Sequence, residues 1–189
     1  SNENQNKISN YSMNFDGTSD EINCGNNSIL TFGNGTTDSP FSVSFWINPN
    51  SISTGTTGYF QKGTDFLFEY GILFYLNKIR FRLYGGAQIS IDEAGATALV
   101  ANSWNQVVLT YDGTGGSTAA NGMEMYINGS LITVTRLNSG SYVAMSNLGS
   151  DLFIASRGGT GYTRADYTDF VVFDYALSQD QVTQLGAEG

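Results

Sequence analysis

This chain of 189 residues holds 17 aspartates and glutamates and no histidine, and that inventory bounds its chemistry. Without imidazole, Ser-His-Asp and Cys-His constellations and the imidazole zinc sites are excluded. Cys24 is the single cysteine, so an intrachain disulfide is excluded too. Beside Ile22 in a strand-like run, it reads as a small buried hydrophobe rather than a reactive thiol. Asp92 and Glu93 are adjacent, so on a strand they point to opposite faces instead of flanking one bond, and they are expected to end that strand in solvent. No residue is assigned a catalytic role. Recognition chemistry is better represented. The segment SRGGTGYTRADY combines glycine freedom with Arg157, Tyr162, Arg164 and Tyr167, and is the first place to seek a ligand-binding site. Tyrosine can stack on the apolar face of a sugar while its hydroxyl stays wet, and Tyr59, Tyr70, Tyr84 and Tyr142 also fall in loops or on outward strand faces.

The net charge of −9, with 8 basic residues, leaves no basic footprint for nucleic acid, and cations are the favoured small partners. Charged residues make up only 13% while Gly numbers 23, so polarity comes from Ser, Thr, Asn, Gln and Gly. That composition suits short strands joined by tight turns, and an extracellular or virion surface. No stretch approaches the ~20 apolar residues of a membrane span. Residues 1–10 read as a polar tail or linker without the apolar core of a signal peptide: a leader was removed, the domain was cut from a longer chain, or none is needed. Residues 11–189 form one domain, with a hydrophobic fraction of 40% to supply its core.

Positioning falls to strands. From Trp104 to Tyr111 both sides carry apolar bulk, as in an interior strand. Met123 to Ile127 alternates and closes with Asn128-Gly129, a hairpin turn pair, before a return from Leu131 to Leu137. Trp104, Val107, Leu109, Met123 and Met125 are expected in the core. Phe41, Val43, Phe45 and Ile47 alternate strictly with Ser42, Ser44 and Trp46, and Pro49 stops that strand. Phe66–Leu76 and Ile79–Tyr84 form a hairpin around Asn77-Lys78, with Ile79, Phe81 and Leu83 inward and Arg80, Arg82 and Tyr84 outward. Shorter strands are expected at 11–15, 21–24, 88–92, 151–155 and 168–175. Ser178 and Gln181 form a capping box, with Leu177 and Val182 as a hydrophobic staple and Gly186 as the stop. One short helix among ten or more strands makes an all-β fold.

Five pieces, in order, resemble the laminin G-like, or concanavalin A-like, domains of bacterial or viral type: Phe15-Asp16-Gly17-Thr-Ser-Asp20, Phe41-Ser-Val-Ser-Phe-Trp46, Trp104 to Gly113, Tyr126-Ile-Asn128-Gly129, and Asp169-Phe-Val-Val-Phe173 with Ala176-Leu177-Ser178. The glycine usual before the acidic closing strand is missing from Tyr162-Thr-Arg-Ala-Asp166-Tyr-Thr-Asp169. The resemblance implies a jelly-roll sandwich of two antiparallel sheets with one short C-terminal helix and neighbouring termini. It also implies a calcium ion near the termini, with Asp16, Asp20 and Asp169 as side-chain ligands and Gly17 as a carbonyl donor; calcium takes six to eight oxygens. The two-carboxylate E-x-D-x-x-E strand of the glycoside hydrolase relatives is not present. The implied function is non-catalytic recognition of a glycan or cell-surface receptor. The alternative is a structural virion protein, a phage decoration or tail-associated component that packs against neighbouring subunits.

Overall fold

The computed structural model describes residues 11–52 and 55–187, so the polar tail lies outside the described residues. Among the described residues thirteen strands form: β1 (Met13–Asp16), β2 (Ile22–Asn23), β3 (Phe41–Pro49), β4 (Thr56–Gly63), β5 (Phe68–Tyr75), β6 (Lys78–Tyr84), β7 (Gln88–Glu93), β8 (Asn105–Tyr111), β9 (Met123–Ile127), β10 (Ser130–Leu131), β11 (Val134–Leu137), β12 (Leu152–Ile154) and β13 (Arg164–Phe173). They pair antiparallel into a six-stranded sheet, β1-β13-β3-β8-β9-β10, and a seven-stranded sheet, β11-β7-β6-β5-β4-β12-β2. One helix, α1 (Gln179–Ala187), follows. This is the all-β, two-sheet sandwich that the alternating patterns predict. Among the described residues no helix is long and apolar enough to cross a membrane.

The core lies between the sheets. Phe41, Val43, Phe45 and Ile47 of β3 are fully buried, facing Ile72, Ile79, Phe81 and Leu83 of β5 and β6. Phe45 stacks on Phe170 at 5.8 Å, and the Phe60 ring lies tilted against Phe170 at 5.0 Å. The β5–β6 turn sits one residue earlier than expected: Tyr75 pairs with Lys78, leaving Leu76 and Asn77 at φ 48° and 63°. Arg80 and Arg82 do point outward, Arg80 bonding both oxygens of Asp92 at 2.7 Å and Arg82 lying 3.8 Å over Phe68.

Other expectations need correction. Trp104 is 42% exposed, because it precedes β8 on the outward side. Cys24 is exposed just beyond β2. Phe66 and Leu67 are exposed in the turn before β5. Glu93 is buried, its carboxylate accepting from the Ile79 and Ala98 amides at 2.6 and 2.8 Å. The expected return over 131–137 is two strands, β10 on β9 and β11 on β7 of the other sheet. Ile132 N still donates to Met125 O while Thr133 O accepts from Ala94 N, so the chain changes sheets between these residues. Gly186 lies within α1 instead of ending it. The capping box forms as expected, Ser178 N donating to Gln181 Oε1 at 2.9 Å and Gln181 N to Ser178 Oγ at 3.4 Å.

Asp38 closes one end of the sandwich. Its Oδ2 accepts from the hydroxyls of Tyr111 and Tyr142 at 2.7 and 2.9 Å, and its Oδ1 from the Met145 amide at 2.7 Å. Both tyrosines are buried, and burial pushes each phenol well above its usual pKa, so they remain donors. Removing a shared acceptor strands buried donors at ~1–3 kcal/mol each. Asp38→Ala is therefore expected to lower unfolding free energy by about 3 kcal/mol in urea denaturation, and Asp38→Asn by less.

Candidate functional site

Three connections meet at one end of the sandwich: the β1–β2 turn at Gly17, the β3–β4 connection, and the β12–β13 loop. They enclose a cleft of about 220 Å³ lined by Gly17, Pro49, Ser51, Gly55, Thr57, Tyr59, Phe74, Tyr162, Thr163 and Arg164. Two of the four ligand-binding candidates, Tyr162 and Arg164, thus come together there.

The loop that presents them is tied to β4 by its main chain. Gly58 N donates to Gly161 O at 2.7 Å, Thr163 Oγ1 to Gly58 O at 2.8 Å, and Thr163 N to Ala155 O at 2.8 Å. Glu21 holds the other side, accepting from Ser156 Oγ at 2.5 Å and Gly159 N at 3.0 Å. Arg164 opens β13 opposite Asp16 of β1. Gly17, at φ 73°, lets the turn lie flat on it: a Cβ there would sit 2.6 Å from Arg164 Cβ. Arg164 is exposed and has no ion pair among the described residues, whereas Tyr162 is half-buried. The cleft therefore brings together Tyr162, Arg164 and Thr57 over a floor of Tyr59 and Phe74.

The other two candidates lie elsewhere. Arg157 pairs with Asp65, and its guanidinium occupies the space where Gly161 has no side chain, so it straps the loop down. Tyr167 is in β13, not in a loop, and is fully buried, 5.2 Å from Phe15 and 6.0 Å from Phe45. Tyr59, Tyr70 and Tyr142 are also buried, the hydroxyls of Tyr70 and Tyr142 bonding Leu30 O and Asp38. Sequence reasoning missed the cleft's floor and its Ser51 and Thr57 rim; Tyr59, in a strand between two glycine-containing stretches, was visible only as a rim tyrosine.

The expected calcium ligands do not converge. Asp16 Oδ1 accepts from the amides of Thr18, Ser19 and Asp20 at 2.7, 2.9 and 3.1 Å, and Asp20 Oδ2 accepts from Asp16 N at 3.0 Å. Asp169 stands five positions along β13 from Arg164, the partner of Asp16. That is on the order of 15 Å at the usual strand rise. It occupies a bulge at φ 49°, exposed, bonded to Thr168 Oγ1 at 3.1 Å. Among the described residues no three acidic or cysteine side chains group as a metal site. The residues present do not fit a calcium ion held by all four, and the Asp16 carboxylate is instead the acceptor that shapes its own turn.

Those amide bonds hold the Asp16 pKa down to about 2, from 3.8. A depressed carboxylate contributes stability that is present above its unfolded pKa and lost as pH falls through its folded one. The melting-temperature advantage of the native chain over Asp16→Asn is thus expected in full above pH 4 and to fade toward pH 2. If these four residues hold no calcium, EDTA at neutral pH leaves the melting temperature unchanged, whereas a fall on chelation would show a bound ion that stabilises the fold.

Comparison with known proteins agrees with this architecture. The model of the concanavalin A-like lectin/glucanases superfamily, of laminin G type, matches residues 16–183. No curated protein sequence matches the chain. Among solved structures, the receptor binding domain of botulinum neurotoxin mosaic serotype C/D is 19% identical with a TM-score of 0.66, over 96% of this chain and 43% of that one. The botulinum neurotoxin serotype D ligand binding domain in complex with N-acetylneuraminic acid is 17% identical with a TM-score of 0.58, over 88% and 39%. The native heptameric SAP-like pentraxin from Limulus polyphemus is 19% identical with a TM-score of 0.56, over 88% and 81%. The chain spans about two fifths of the toxin domains, and at these identities the likeness is one of fold. With two antiparallel sheets, a closing helix and a family match running from the Asp16 turn into that helix, the chain belongs to the concanavalin A-like lectin/glucanases superfamily.

Proposed function

We propose that this chain is a non-catalytic recognition module that binds carbohydrate displayed on a cell or receptor surface. The observation that carries the reading is the loop-rimmed cleft lined by both Tyr162 and Arg164, the latter with no carboxylate partner among the described residues. A guanidinium recognises a carboxylate through paired N–H donors, and a tyrosine ring supplies an apolar surface for a sugar ring. The cleft suits a glycan with an acidic sugar better than a wholly neutral one. That one domain of this fold has been solved with N-acetylneuraminic acid supports the same choice of ligand class. The chain contains no histidine, and the cleft lining contains no carboxylate, so a bound glycosidic bond meets neither general acid nor base there. Display on an extracellular surface follows from that ligand.

A glycan array probed with the intact chain is expected to retain acidic glycans. Arg164→Ala is expected to weaken that binding at least tenfold, the loss of one charge-assisted pair at about 1.4 kcal/mol or more. Raising ionic strength should weaken it in the native chain and matter less in the variant. Absence of retained glycans, or full retention by Arg164→Ala, would overturn the reading.

A further inference from the structure

The outward face of the six-stranded sheet is only partly covered by α1. Leu177 and Val182 pack there on Val108 and Tyr126, with Phe173 and Leu185 against them. Beyond that apolar contact, between the helix and the β9–β10 turn, lies a crevice of about 280 Å³ lined by Trp46, Gln106, Asn128, Ser130, Thr183 and Gly186. Trp46 and Gln106 are register partners on β3 and β8, so indole and amide stand side by side on the same face. Gln179 Nε2 donates to Gly129 O at 2.9 Å and fixes the helix against the turn that forms the opposite wall.

Gln106 is the unusual member. It is 1% exposed, and neither Oε1 nor Nε2 has a partner among the described residues. Its main chain is satisfied, the amide donating to Asn128 Oδ1 at 2.9 Å and the carbonyl accepting from Asn128 N at 3.0 Å. The backbone is thus anchored while a buried donor and a buried acceptor are left unmade, an arrangement that folded proteins seldom tolerate without a partner. Asn48 Oδ1, two residues along β3 from Trp46, is also buried without a partner among the described residues. Trp104, two residues before Gln106 and on its side of the sheet, adds a second indole to the face.

We propose that this crevice is a second binding site, for a neutral saccharide. A hydroxyl both donates and accepts, so adjacent sugar hydroxyls can donate to Gln106 Oε1 and accept from Nε2, with the apolar face of the ring against Trp46. An anion would leave Oε1 facing another acceptor, and a cation would leave Nε2 facing another donor. Every residue lining the crevice is uncharged, unlike the cleft that holds Arg164. A volume near the ~300 Å³ lower end of ligand pockets takes one sugar ring rather than a chain.

The chain has two tryptophans, Trp46 and Trp104, and both lie on this face, so intrinsic fluorescence reads this site and not the loop-end cleft, which has no tryptophan in its lining. Titration of the intact chain with glucose, galactose, mannose and N-acetylglucosamine is expected to give a saturable emission shift with at least one of them. Gln106→Leu removes the donor and acceptor at similar volume. Gly186→Ala favours the helix but puts a Cβ about 2.9 Å from Gln106 Oε1. Both are expected to melt no lower than the native chain and to weaken the shift roughly tenfold or more. No shift with any of the four sugars would mean that the crevice holds water only, and a shift that survives both substitutions would place the sugar elsewhere; either result overturns the proposal. Retention of acidic glycans on the array without an emission change would leave the loop-end reading standing and remove this one.

Discussion

Everything in this molecule hangs on the strict alternation of β3. Phe41, Val43, Phe45 and Ile47 point to one side, fully buried between the sheets, while Ser42, Ser44, Trp46 and Asn48 point to the other. A register slip of one residue would exchange these sets and place serines and an asparagine in the core. The outward set does separate work. Ser42 Oγ donates to Tyr175 O and accepts from Leu177 N, both at 2.9 Å, which places the start of α1 on the sheet. Trp46 then walls the crevice left beside the helix. The chain leaving Pro49 enters the connection that rims the loop-end cleft. Core, helix docking, the loop-end cleft and the crevice beside the helix are therefore consequences of one period-two pattern.

Much of the fold was legible for that reason. The inward faces of β3, β6, β8 and β9 are those the alternation predicts, and the capping box of α1 forms from Ser178 and Gln181 as read. What could not be read is polar burial that depends on distant partners. Lys62 is fully buried because Asn26 Oδ1, Ser150 O and Glu69 meet its ammonium group at 2.9, 2.6 and 3.7 Å. Glu93 is buried because two amides converge on it, and Asp38 joins Tyr111 and Tyr142 across 73 and 104 residues of chain. Local periodicity carries no information on such meetings. The same reason explains why Tyr59, Tyr70, Tyr142 and Tyr167 looked like rim residues: their burial depends on what the other sheet places against them.

The candidate site was half legible. The glycine-rich loop was located by composition, and Tyr162 and Arg164 do face a common cleft, but composition could not tell that β13 begins at Arg164 and so carries Tyr167 inward. Nor could it tell that Arg157 turns away to Asp65. The Asp16 turn shows the complementary limit. An FDG sequence predicts a tight turn with an available carboxylate, yet the turn itself consumes the carboxylate through three backbone amides. In a chain of net charge −9, Arg164, with no ion pair among the described residues, is a local exception to the prevailing field, and the proposal of an acidic glycan rests on that exception.

The central claim, that this superfamily member holds a glycan without transforming it, is tested most directly by passing a mixture of surface glycans over the immobilised chain and identifying the eluate by mass spectrometry. The account predicts that a subset rich in acidic sugars is retained and recovered at unchanged mass. Recovery of shortened glycans, or elution of the whole mixture without retention, would contradict it.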